Sequence, residues 1–313
     1  MVAMSTDKHD HAGAHGHSHG VSADADSKRL TAALAVIVGF MAVEVVAGIV
    51  VHSLALLSDA AHMLTDAGAL AMSLVVIRLV QRPAGGDLTY GLKRTEILSA
   101  QANGATLLVL AALIIYEGVN RLISPPPAGG LAILIVALIG IAVNLLATWQ
   151  LAKANRESMN IEGSFQHLVT DLFAFIATAI AGAIILATGF TRADGIASLL
   201  IAAIMLKAAY GLLKDSGRVL LEAAPEGMSV KEIAAAIAVH SQVESFHDLH
   251  VWEVSSGFPA LSAHVLVPPG DDCHGIRREL EQMLDERFGI DHTTLQVDHS
   301  RSDELLTIDR TNS

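Results

Sequence analysis

The chain is poor in the residues that mark a soluble domain. Of its 313 residues, 17% are charged and 4% aromatic, whereas a soluble domain carries about 25% charged residues. One cysteine, Cys273, excludes an intrachain disulfide and fits a reducing cytosolic setting for that part of the chain. Basic residues number 20 against 32 acidic, a net charge of −12, so no basic face is predicted and nucleic acid is not an expected partner. The first 29 residues are polar and histidine-rich, which predicts no cleavable signal peptide. No H-E-x-x-H helix or comparable pattern occurs, and with it goes the commonest route to an intramembrane zinc hydrolase.

What is present is apolar. Hydrophobic residues make up 52% of the chain, and they gather into six segments, about 30–51, 54–80, 96–122, 130–152, 163–188 and 193–213. Each is close to the ~20 residues that cross a bilayer as a helix. Ala, Gly, Leu, Ile and Val fill them, and small residues let helices approach closely where lipid removes the hydrophobic driving force. The charges in the connections alternate. Lys28, Arg29, Arg78, Arg82, Lys93, Arg94, Lys153, Arg156, Lys214 and Arg218 fall on one side, and only Arg121 and Arg192 on the other. Basic loops stay inside, so the sequence predicts an integral multi-pass protein with both termini cytoplasmic.

Two segments carry matching pairs, His62-Met-Leu-Thr-Asp66 and His167-Leu-Val-Thr-Asp171. A spacing of four puts both side chains on one helix face. A carboxylate at the centre of a span costs at least ~2.5 kcal/mol, so it faces a partner or a cavity. Segments two and five run antiparallel under the predicted topology, as in an inverted repeat with its site at the repeat interface. Two imidazoles and two carboxylates converging there make a four-ligand set suited to tetrahedral zinc. The bland alternative, one buried His–Asp hydrogen bond joining two helices, does not account for the pattern occurring twice. One difficulty is depth: each pair lies in the first half of its own segment, unless segment five begins earlier, near Met159. Glu44, Asn103 and Glu117 are further polar groups inside spans; Glu44 is a candidate for the proton route or for a bond to a neighbouring helix, and helix bonding is the favoured reading. Asp194 reads as a cap on segment six.

Outside the spans, residues 1–28 form a predicted disordered tail carrying His9, His11, His15, His17 and His19, a composition that binds metals weakly or is simply tolerated. The membrane domain is predicted over 29–215 and a cytosolic domain over 216–300, followed by a tail, 301–313. Ser229-Val-Lys-Glu232 is a capping box opening a helix. Strands near 247–254 and 260–267, a helix near 272–288 and a strand near 293–298 complete an α-β-β-α-β order. That order predicts a small α+β domain with its helices on one face of a three-stranded sheet.

These features together resemble the cation diffusion facilitator family of zinc and divalent-metal/proton antiporters. The resemblance rests on Ser53-Leu-Ala-Leu-Leu-Ser-Asp59 leading into His62 and Asp66, on Tyr90-Gly91 with Arg94-x-Glu96-Ile97, and on His167 and Asp171. Ala193-Asp194-Gly195 and Leu221-Glu222-Ala-Ala-Pro225 complete it. It implies a six-helix transmembrane bundle, a ferredoxin-like, metallochaperone-like cytosolic domain and a homodimer in a membrane, the bacterial inner membrane being the expected one. It implies that His62, Asp66, His167 and Asp171 are the transport site of a proton-coupled exporter of Zn2+, with Cd2+, Co2+ and Ni2+ as further candidates, and that the protein is not an enzyme. It also implies that His247, His264 and Asp298, with His250 nearby, hold a regulatory metal at the dimer interface. Two departures are visible. The loop 82–93 has Asp87 but no histidine, so the second metal site of some members is not expected, and Gln296 stands where some relatives have histidine. A membrane-bound sensor that binds zinc without moving it is the alternative reading.

Overall fold

A computed structural model describes residues 19–50, 54–124 and 130–300. Its six long helices are α1 (His19–Val50), α2 (Leu54–Val80), α3 (Thr95–Ile123), α4 (Gly130–Leu151), α5 (Met159–Thr188) and α6 (Arg192–Leu220). All six are long and apolar enough to cross a membrane. Three boundaries differ from expectation. Residues 19–28, expected in the tail, are the first turns of α1; buried Asp26 accepts a hydrogen bond from Asn155 N at 2.9 Å, tying α1 to the α4–α5 loop. α5 begins at Met159, and α6 continues to Leu220, past the expected domain boundary at 215. His9, His11, His15 and His17 and the tail 301–313 lie outside the described residues, as do the side chains of His19 and His62.

Small residues determine which helices meet. α3 lies along α6 through Gly104, Gly118 and Gly195; a Cβ on Gly195 would stand 3.0 Å from Gly118 O and from Leu122 Cγ. Leu107, Ala111, Ile201, Met205, Ala209 and Leu212 fill the seam. At its far end Arg121 pairs with both Glu117 and Asp194. Asp194 is therefore not the cap of α6: that position is Thr191, and Asp194 sits inside the first turn, held by an arginine of α3. A second cluster, with Leu30, Ala33, Ile37, Met63, Ala67, Leu70, Ala147, Leu151, Ile161 and Leu168, joins α1, α2, α4 and α5.

The C-terminal domain follows the expected order: α7 (Val230–Ala238), β1 (Ser245–Ser255), β2 (Phe258–Val267), α8 (Cys273–Phe288) and β3 (His292–His299). The Ser229 side chain accepts from Glu232 N, the capping bond that starts α7. β1 pairs antiparallel with β2, and β2 pairs parallel with β3 across the α8 crossover. Leu261, Ala263, Val265 and Val267 alternate along β2 onto one face, where they meet Ile233 and Ile237 of α7 and Ile276, Leu280 and Leu284 of α8. The opposite face carries His264 and its neighbours.

The domain joins the bundle at the tip of the β1–β2 hairpin. Buried Glu96, at the start of α3, accepts hydrogen bonds from Ser256 N at 2.6 Å and Ser158 Oγ at 3.2 Å, and Met159 N donates to Ser256 Oγ at 3.0 Å. Hairpin, α3 and α5 thus meet at one carboxylate. Beside it, burial pushes the Glu253 carboxyl above its usual range, against the opposing pull of the Gly257 N–H bond and the Arg218 charge. Lys93 Nζ lies 3.7 Å over the Phe258 ring, and Arg94 pairs with Glu222 at the surface at 3.3 Å.

Candidate metal centres

The first centre lies where α2 meets α5. Because α5 starts at Met159, His167 falls on its third turn and Asp171 on its fourth, which carries the pair to the level of Asp66, midway along α2. The depth difficulty disappears. His167 Nε2 is 2.9 Å from Asp66 Oδ1 and 3.7 Å from Asp171 Oδ2, and the three ligand atoms lie within 4.8 Å of one another. His62 lies on α2 one turn before Asp66, with its side chain outside the described residues. Met63, Ala67 and Leu168, close to these residues in sequence, are buried in the hydrophobic cluster that joins α1, α2, α4 and α5.

Between this centre and the end of the bundle that carries the C-terminal domain, α2 and α5 are bonded to each other. Ser73 and Ser164 share a hydrogen bond at 2.7 Å, and Asn160 Nδ2 donates to Ser73 O at 3.0 Å.

The second centre lies on the open face of the sheet. His247 stands opposite His264 in the β1–β2 register, with ring centroids 5.1 Å apart. The third member is Asp248, whose Oδ2 is 4.0 Å from His247 Nε2 and 3.9 Å from His264 Nδ1. All three are exposed. Asp248 adopts φ +51° at a β-bulge between His247 and His250, a conformation that aspartate tolerates better than most residues. Two expected members fall outside this group. Asp298 is two residues further along, opposite Leu266, and accepts from Gln296 Nε2 at 2.7 Å. His250, displaced past the bulge, lines a cavity of about 1060 Å³ between hairpin and bundle with Asp87, Tyr90, Glu222 and Trp252. Nothing in the sequence flags the bulge that brings Asp248 beside the two histidines.

A membrane-spanning bundle with a buried histidine–carboxylate centre and an appended α+β domain defines a class of membrane cation carriers. Residues 30–221 match the family model described as the cation efflux transmembrane domain, and residues 225–300 match the cation efflux protein cytoplasmic domain. The cadmium, cobalt and zinc/H(+)-K(+) antiporter of Bacillus subtilis is 34% identical over 299 residues, 93% of this chain and 95% of its own length. The metal cation efflux system protein CzcD of Cupriavidus metallidurans is 38% identical over 288 residues, 90% of each chain. The zinc transporter ZitB of Escherichia coli is 36% identical over 291 residues, 91% of this chain and 93% of its own. The chain belongs to the cation diffusion facilitator family of zinc and divalent-metal transporters. It is an integral multi-pass membrane protein that effluxes divalent metal, and not an enzyme.

Proposed function

We propose that the chain is a homodimeric, proton-coupled antiporter that exports Zn2+ from the cytosol by alternating access, in the bacterial inner membrane with both termini cytoplasmic. Its transport site is His62, Asp66, His167 and Asp171. The observation that carries this reading is the 2.9 Å separation of His167 Nε2 and Asp66 Oδ1 with Asp171 beside them. Two such atoms approach that closely only by sharing a proton, and the lone pairs that hold the proton are those that would hold a metal. Zinc requires neutral imidazole and ionised carboxylate, so loading displaces protons and protonation releases the ion. Two carboxylates also cancel the charge of a divalent ion, which lets it reside in an apolar site. Cadmium, cobalt and nickel satisfy the same donors.

The test is zinc flux into proteoliposomes under an imposed pH gradient. Flux is expected when the zinc-receiving compartment is acidic, and it should vanish when an ionophore collapses the gradient. Stoichiometric zinc binding without flux would replace this reading with a sensor.

His247, Asp248 and His264 form a regulatory site under the same reading. Two imidazoles and a carboxylate are competent zinc ligands with room for a fourth, and metal there favours one dimer arrangement over another. Zinc bound per chain at saturation should fall by one equivalent in His264→Ala, with flux through the membrane site retained. An unchanged stoichiometry counts against the site.

A further inference from the structure

The transport reading uses the carboxylates and imidazoles of α2 and α5 but leaves a set of buried neutral polar groups unexplained. Asn103, on α3, is 1% exposed, and neither of its amide atoms has a hydrogen-bond partner among the described residues. It packs on the backbone of α5: a Cβ on Gly163 would lie 3.3 Å from Asn103 Nδ2. Ser99, one turn earlier on α3, is buried with its hydroxyl unpartnered among the same residues, and Asn160 Oδ1 on α5 is likewise unpartnered. Ser73 and Ser164, also buried, bond to each other across α2 and α5. All five sit between the Asp66–His167–Asp171 centre and the domain-bearing end of the bundle.

In a dry, lipid-embedded bundle, unpartnered polar atoms are a cost without return, and apolar side chains of equal size would pack α3 against α5 as well. Their presence is explained if these atoms are solvated in another conformation. From this geometry we infer that Ser73, Ser99, Asn103, Asn160 and Ser164 line the path by which a partly hydrated divalent cation reaches the transport site from the domain-bearing side, and that the structure shows this path closed. The inference rests on the transport reading above.

The chemistry suits transit. Amide and hydroxyl oxygens replace water around a cation yet hold zinc far less strongly than imidazole or carboxylate, so the ion passes without being trapped. The closure is light. The hydrogen bonds that hold α2 to α5 on this side, Ser73–Ser164 and Asn160–Ser73, are both between neutral groups, beside the apolar packing of Leu70 and Ile161. The wetted groups gain partners when the helices part, which offsets the bonds lost.

Asn103→Leu keeps the branched outline of the side chain, with methyl groups somewhat bulkier than the amide, and removes the oxygen. It is expected to slow gradient-driven zinc flux at least tenfold, while zinc stoichiometry is unchanged and the melting temperature is equal or higher. Asn103→Ser should retain most of the flux. A purely structural amide predicts instead that the leucine variant melts lower. A second measurement reads the path directly. Asn103→Cys, in a Cys273→Ser background, should react with a membrane-impermeant maleimide added from the domain-bearing side at least tenfold faster than Leu107→Cys, a buried position one turn deeper on α3. Native flux in Asn103→Leu, or a thiol in Asn103→Cys no more reactive than that in the Leu107→Cys control in protein that transports, overturns the inference and leaves the transport reading intact. Absence of flux in the unaltered protein removes the transport reading itself.

Discussion

Asp171→Ala should lose zinc flux by a factor of at least about 100 while folding and inserting normally. With Asp66 and Asp171 both ionised, a bound Zn2+ leaves the centre electrically neutral. With one carboxylate gone, the loaded site carries a net positive charge inside the bundle. A charge near the bilayer centre costs ~2.5–3.5 kcal/mol on the insertion scale, which at ~1.4 kcal/mol per decade is roughly two orders of magnitude in affinity. Asp171→Asn, nearly isosteric, should lose as much, which separates charge from packing. The measurement is initial zinc uptake into proteoliposomes across a range of zinc concentrations under a fixed pH gradient. Undiminished uptake in both variants would mean that the ion takes another route.

The second large effect is on assembly of the bundle. Gly195→Leu should lower the melting temperature in detergent and the yield of folded protein, at a cost of about 1–3 kcal/mol for overpacking. A Cβ there meets Gly118 O and Leu122 at 3.0 Å, and one of those neighbours is backbone, which cannot rotate away. α3 and α6 must separate, and the Arg121–Asp194 pair at the same end must stretch. Gly211→Ala, on the same helix, meets nothing within 4 Å among the described residues and should be neutral or slightly stabilising, because alanine lowers the entropy of the unfolded chain. Equal melting temperatures for Gly195→Leu and the unaltered protein would show that the seam is looser than these distances imply.

Much of this architecture is legible in the sequence because lipid enforces it. Spans need unbroken apolar runs, and a charged pair within one is expensive enough to demand a reason. His167 and Asp171 therefore stand out before any coordinates. Helix ends are less legible. The start of α5 sets a single apolar residue, Ile161, among Asn160, Glu162 and Gly163 and reads as a loop, yet starting the helix at Met159 is what brings His167 level with Asp66. Contacts between distant residues leave no local trace. Glu96 and Ser256 are 160 positions apart, and Asp194 looks like a cap until Arg121, 73 positions earlier, is placed beside it. The cytosolic site shows the same limit in a strand. A regular β1 would put His247 and every second residue on one face and His250 on the other; the bulge adds one residue, so Asp248 joins His247 and His264 while His250 stands opposite Ser262, one pair further along the same face.

Two contacts made at the start of α3, Arg94–Glu222 to the segment after α6 and Glu96–Ser256 to the hairpin tip, differ in how the surrounding solution reaches them. The Arg94–Glu222 pair is exposed, with 41% and 64% of its side chains accessible; such a pair contributes up to ~1 kcal/mol and weakens as salt shortens the ~10 Å Debye length of 0.1 M solution. The Glu96–Ser256 bond is out of the ions' reach. Rising ionic strength therefore weakens the hold of α3 on the segment that leads from α6 into the C-terminal domain and spares the buried bond at the hairpin tip.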